Sequence, residues 1–232
     1  MRAKRKAKRS IAPVFYEHID TEQLAYNLHM FKPGDLIEIT RKLHGTSART
    51  SHTKVLKGFK RNLLDIILRR EGTPIYDWGT VSGTRRTVLD TFDGGFYGSN
   101  EFRKPYHDFF DGKLLKGETV YYEIVGFTHD GGPIMGVCNN KKLNDKEFVK
   151  KYGETTTFSY GCSPNGKKIV HGRDDQGLYS LEISCPQNDI YVYRMTMTNE
   201  DGEVVEYTPD QMRHRCMYMG VKTVPVHWYG FI

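Results

Sequence analysis

No stretch of the 232 residues approaches the roughly 20 consecutive apolar side chains that a membrane-spanning helix needs. The basic N-terminus is not followed by an apolar segment, so the pattern of a secretory signal is missing as well. Together with a mean hydropathy of −0.59 and 27% charged residues, these absences predict a cytoplasmic protein with no membrane association. Cysteine is scarce. Cys138, Cys162, Cys185 and Cys216 lie far apart with no CxxC pair, which argues against a zinc knuckle or a disulfide framework and predicts reduced thiols. There is no internal repeat, and no low-complexity segment beyond the first ten residues. What the chain does have is 38% hydrophobic and 12% aromatic residues, enough for one sizeable core.

The formal charge of +6 is unevenly placed. Arg2, Lys4, Arg5, Lys6, Lys8 and Arg9 stand in the first ten residues without an acid among them; the rest of the chain then balances 28 basic against 28 acidic residues. Residues 1–12 read as a basic, disordered tail available to phosphates, and 13–232 as the folded domain. Any nucleic-acid surface of that domain must come from local clustering of charge.

Turn and cap signals divide the domain. Residues 21–32 predict a short helix capped by Asp20 or Thr21 and broken at Pro33-Gly34, and LIEIT (36–40) alternates as a strand. Phe59, Leu63, Ile66 and Ile67 predict an insertion helix over 57–70. Residues 78–89 read as extended, 96–112 as a helix ending at Gly112, and 118–127 (ETVYYEIVGF) as the most strand-like segment of the chain. A short helix is expected over 141–152 and a glycine-punctuated hairpin or loop-rich insertion over 153–186. IYVYRMTMT and EVVEYT around Asp201-Gly202 predict a hairpin. Thr208, Pro209 and Gly220 predict the N-cap, first position and stop of a helix, followed by a final extended piece, 221–232. The fold class is α+β, antiparallel sheets with intervening helices.

The sharpest local feature is Arg41-Lys42-Leu43-His44-Gly45-Thr46-Ser47, at the end of the LIEIT strand. An amine in a pocket can act as a nucleophile if nearby cations or desolvation depress its usual value of about 10.4. Gly45 would let a bulky ligand approach the backbone, and Thr46 and Ser47 offer hydroxyls. On spacing alone, KxxG is also the pattern of a surface lysine before a turn. His44, with no partner histidines at ligand spacing, reads as a packing or hydrogen-bonding residue rather than a metal ligand.

KLHGTS closely resembles motif I of the covalent nucleotidyltransferases, the superfamily of ATP-dependent DNA and RNA ligases and mRNA capping enzymes. Its KxHGT form looks most like the phage-type RNA ligases of the second class. SGTRRTV (82–88) is similar to the segment whose arginine lies near the nucleotide sugar, with Arg86 the best match and Arg85 close behind. VYYEIVGF resembles motif III, with Glu123 as its acid, and IYVYRM resembles the aromatic strand that places Tyr193 on adenine. Without the resemblance, Glu123 reads as an outward-facing strand carboxylate and Tyr193 as a core tyrosine. The resemblance covers roughly residues 14–232.

The resemblance implies a nucleotidyltransferase adenylation-domain fold, of the ATP-grasp-like kind shared by DNA and RNA ligases. It also implies an ATP-dependent RNA ligase that joins 5′-phosphate and 3′-hydroxyl RNA ends through a lysyl-AMP intermediate on Lys42. ATP and Mg2+ or Mn2+ would be the cofactors, and Arg41, His44, Gly45, Arg86, Glu123 and Tyr193 would bind the nucleotide. Motifs IV and V are expected after the VPV segment, where the sequence stops at Ile232, so the family's pattern is incomplete at the C-terminus. Glu200-Asp201-Gly202-Glu203 mimics motif IV but reads as a hairpin turn. The alternatives are a DNA ligase or capping-type enzyme, for which KxDG is the commoner form, and a non-catalytic nucleic-acid-binding fragment. Oligomeric state is not encoded in any of these features.

Overall fold

The computed structural model describes residues 11–135, 146, 150 and 162–232. The expected helix over 141–152 and Cys138 fall outside these residues, apart from Lys146 and Lys150, which are helical. The chain divides into two compact units: Met1–Arg41, Ser47–Tyr122 and Tyr191–Ile232 form the first, Lys42–Thr46 and Glu123–Ile190 the second. The architecture is α+β, dominated by antiparallel pairing, with few helices. Among the described residues no helix is long and apolar enough to cross a membrane.

In chain order the elements are α1 (Leu24–Asn27), β1 (Leu36–Thr40), β2 (Thr46–Lys60), α2 (Leu63–Ile67), β3 (Thr73–Thr84), β4 (Val88–Leu89), α3 (Lys104–Phe110) and β5 (Glu118–Gly126). They continue as β6 (Lys167–Asp174), β7 (Gly177–Ser184), β8 (Asn188–Thr198), β9 (Val204–Glu206), α4 (Pro209–Met219), β10 (Lys222–Thr223) and β11 (Val226–Phe231). The main sheet runs β10-β8-β5-β2-β3-β4, with β9 paired to β8. β2 and β3 form its longest antiparallel pair, from Ala48↔Thr84 to Lys60↔Thr73.

That pairing overrides the helical pattern expected over 57–70. Because β2 continues to Lys60, only the connection can turn, and it forms the five-residue α2, whose capping box joins Asn62 and Asp65. Its apolar residues stay exposed, Leu63 at 79%. The helix expected over 96–112 is likewise confined to a 3-10 turn at Glu101–Arg103 and to α3.

Within the first unit, Phe110 and Tyr122 pack with ring centroids 5.4 Å apart, joining α3 to the sheet. A chain of hydroxyls is buried beside them: Thr50 Oγ1 lies 3.0 Å from the Tyr122 hydroxyl and 2.9 Å from Ser82 Oγ, which reaches His107 Nδ1 at 2.9 Å. Burial pushes the Tyr122 hydroxyl up to about 12. Ala12, Phe15, Val81 and Val88 form a second buried cluster. Helix α4 follows its sequence signals closely: Thr208 Oγ1 accepts the Gln211 N–H at 3.3 Å, Pro209 opens the helix, and Gly220 closes it at φ +74. Met212, Cys216 and Met219 are its buried stripe, and burial raises the Cys216 thiol to about 12.

The apolar residues at the end of the sequence pair with β1, Leu36↔Phe231 through Ile39↔Trp228. Helix α4 is tied to this ribbon by the Arg213–Glu38 ion pair and by the Tyr229 hydroxyl on Asp210 at 3.3 Å.

The second unit corrects the cysteine expectation. Cys162 and Cys185 form a disulfide, although 23 residues separate them, because the β6–β7 hairpin folds back and brings its two ends together. Cys185 N–H donates to the Gly166 carbonyl at 2.9 Å at the same base. A lone two-stranded hairpin is marginal in water, and β7 is exposed along its whole length, so the crosslink carries much of its order. Reduction should destabilise this hairpin by up to about 3 kcal/mol. Amide exchange should then quicken in β6 and β7 and stay unchanged in β2 and β3; uniform exchange would show that the crosslink is dispensable.

Candidate functional site

The second unit holds the motif around Lys42. β1 ends at Thr40, and Arg41 N–H still donates to the Pro225 carbonyl at 2.8 Å, so the chain leaves the β1–β11 ribbon directly into Lys42. Leu43 is buried while Lys42 and His44 on either side of it are exposed, which anchors the loop by one side chain and leaves the amine and imidazole free to meet a ligand.

Gly45 then docks on the strand carrying the predicted acid. Its N–H donates to Glu123 Oε1 at 3.0 Å. A Cβ at this position would overlap the Ile124 carbonyl oxygen and press against Val125, so only glycine can approach β5 this closely. Two residues chosen separately from the sequence, 78 positions apart, thus share one hydrogen bond.

The first unit holds the remaining candidates. The Tyr193 hydroxyl lies 2.7 Å from Ser47 Oγ, and the edge of the His18 ring meets Tyr193 with centroids 5.0 Å apart. Burial first, then the Arg194 and Arg85 charges, hold His18 below its ordinary value, and its Nδ1 is buried without a hydrogen-bond partner among the described residues. Such an atom costs stability unless a ligand satisfies it. Arg194 stacks over Tyr121 at 4.5 Å and is held by Glu206.

The two candidate arginines differ in their company. Arg85 is ion-paired with Asp20, and its carbonyl accepts from Arg49 at 2.6 Å; Arg86 is exposed, and its backbone N–H meets Thr84 Oγ1 at 3.4 Å. No side-chain partner for Arg86 occurs among the described residues. Arg41 points elsewhere: its Nε donates to His227 Nε2 at 3.3 Å.

Sequence reasoning did not single out His18 or Phe96. His18 lies in a segment without a motif, and only the tertiary contact with Tyr193 marks it. Phe96 is 93% exposed in a loop held by Asn100, whose Nδ2 donates to the Gly94 carbonyl at 2.8 Å. A ring displayed this way is suited to stacking on a base. Among the described residues no group of three or more His, Cys, Asp or Glu could by itself hold a metal ion.

No known protein family matches the chain, and no curated protein matches it. The functional reading therefore rests on the residues and their geometry.

Proposed function

We propose that this chain carries the adenylyl-transfer site of an ATP-dependent RNA ligase with a nucleotidyltransferase adenylation-domain fold. The observation that carries the reading is the Gly45 N–H on the Glu123 carboxylate, the motif I glycine seated on the motif III acid. It turns two separate sequence resemblances into one spatial arrangement next to an exposed lysine.

In the first step the deprotonated Lys42 Nζ attacks the α-phosphorus of ATP. A P–N bond forms, the bond from the α-phosphorus to the oxygen bridging it to the β-phosphate breaks, pyrophosphate leaves, and the amine proton is released to solvent. Splitting ligation this way stores the adenylyl group on the protein. A 5′-phosphate oxygen of RNA then displaces Lys42 from the phosphorus, and a 3′-hydroxyl attacks the activated 5′-phosphate to form the phosphodiester and release AMP. Mg2+ or Mn2+ would arrive with the nucleotide phosphates and would offset their charge.

Glu123 and the Arg86 guanidinium are assigned to the ribose end and the Tyr193 ring to the base. His44 and Gly45 shape the loop, and the Arg41 side chain, just before the nucleophile, is held on His227. His44 in place of an acid favours RNA ligases over the DNA ligase and capping groups, and the displayed Phe96 ring supports a nucleic-acid substrate.

The test is label transfer from α-labelled ATP and, separately, GTP with Mg2+ or Mn2+. Label from ATP alone that survives denaturing electrophoresis and is released by acid, as a P–N linkage is, chased by RNA bearing a 5′-phosphate and absent from Lys42→Ala, is the expected result. Label from GTP would mean a capping-type enzyme. Folded protein that binds RNA but takes no label would mean a non-catalytic binding module.

A further inference from the structure

Away from these residues, the first unit gathers lysines and aromatic rings at one place. In the β2–β3 pair Lys54 stands opposite Trp78, and its Nζ lies 4.8 Å from the indole ring. The turn before β5 is fixed by the Gly117 N–H on the His52 carbonyl at 2.7 Å, and this delivers Lys116 Nζ to 5.5 Å from the same ring. His52 meets Trp78 edge-on at 5.8 Å.

Just before Lys116, Lys113 Nζ sits 3.4 Å over Phe109, and its carbonyl accepts from Arg215 at 2.6 Å. Arg215 borders an open groove of about 480 Å³ beside Tyr218, whose side chain is 84% exposed.

Each ammonium gains cation–π attraction, but the arrangement sets two like charges on one indole, which repel each other. An anion bridging them removes that repulsion. Among the described residues, the acids nearby do not fill this role. Glu200 reaches Lys54 at 3.9 Å and leaves Lys116 without it; Asp111 accepts from Thr80 at 2.5 Å; Asp77 accepts the Trp78 N–H at 2.8 Å; and Glu118 is taken up by Arg215.

We infer that Lys54, Lys116 and Lys113, displayed on Trp78 and Phe109, form a track for the phosphodiester backbone of RNA, leading to a base-stacking position on Tyr218. Lys54 lies seven residues beyond Ser47 on β2, roughly 23 Å along the strand. The track therefore grips RNA several nucleotides from the Ser47–Tyr193 contact and lengthens the footprint without touching the chemistry. It rests on the reading that the substrate is RNA, and it needs no adenylylation.

The test is fluorescence anisotropy of a fluorescein-labelled oligouridylate with the full chain, without ATP, across a series of salt concentrations. For Lys54→Gln/Lys116→Gln, affinity at low salt should fall about tenfold. The slope of log K against log salt should shrink by about 1.4, the loss of two phosphate contacts on a single strand. AMP attachment to Lys42 should be unchanged in the same variant.

Unaltered affinity and slope would overturn the track. So would displacement of the RNA by polyglutamate at equal charge, which would assign the surface to an acidic protein. A wild-type chain that accepts AMP but does not bind the oligomer would overturn the track and leave the ligase reading standing. A chain that binds through these lysines but takes no AMP would do the reverse.

Discussion

Arg215→Ala is expected to lower the stability of the chain by about 3–5 kcal/mol, the cost of stranding one member of a buried ion pair. Glu118 is fully buried at the start of β5, and four donors hold its carboxylate. Arg215 Nε reaches Oε1 at 2.8 Å and its terminal nitrogen Oε2 at 2.9 Å, the Tyr207 hydroxyl donates to Oε1 at 3.0 Å, and the Leu115 N–H to Oε2 at 2.9 Å. Without the guanidinium the carboxylate keeps two neutral donors and loses its counter-charge in a dry site. Glu118→Gln in the same background should recover part of the loss by removing the stranded charge, which a simple packing role for Arg215 would not allow. Urea denaturation of the three chains reads this directly; a loss under about 1 kcal/mol for Arg215→Ala would show that water reaches Glu118.

Gly45→Ala should reduce transfer of AMP to Lys42 by about a hundredfold or more, the scale of a displacement near 1 Å at a reacting group. The added methyl group has no room against the Ile124 carbonyl, so the loop must lift from β5 and the N–H bond to Glu123 must lengthen. Lys42, three residues upstream, moves with it. Gly58→Ala is the matched control, since a Cβ there meets nothing within 4 Å and should change stability by no more than about 0.5 kcal/mol. Equal labelling of Gly45→Ala and wild type would remove the Gly45–Glu123 contact from the account.

The features written in local chemistry were legible in the sequence. Thr208, Pro209 and Gly220 bound α4 because capping and left-handed backbone are decided by single residues, and LIEIT is the strand β1, a short β-branched run bounded by the Pro33-Gly34 break. The Asp201-Gly202 turn joins β8 to β9 as a hairpin for the same reason. Contacts made across long sequence distances were not legible. The pattern over 57–70 is helical by period, but pairing of β2 with β3 out to Lys60 overrides it. Cys162 and Cys185 carry no spacing signal, because a hairpin brings them together. The Lys42 motif stood out in the sequence and its hydrogen bond to Glu123 did not, whereas His18 becomes visible only when Tyr193 packs against it.

The central claim is that the Lys42 amine accepts the adenylyl group. Incubation of the full chain with ATP and Mg2+, followed by proteolysis and mass spectrometry of the peptides, locates the adduct. The account predicts a single AMP, in phosphoramidate linkage, on the peptide containing Lys42, and none in Lys42→Ala. AMP on another lysine, or no adduct on folded protein, would contradict it.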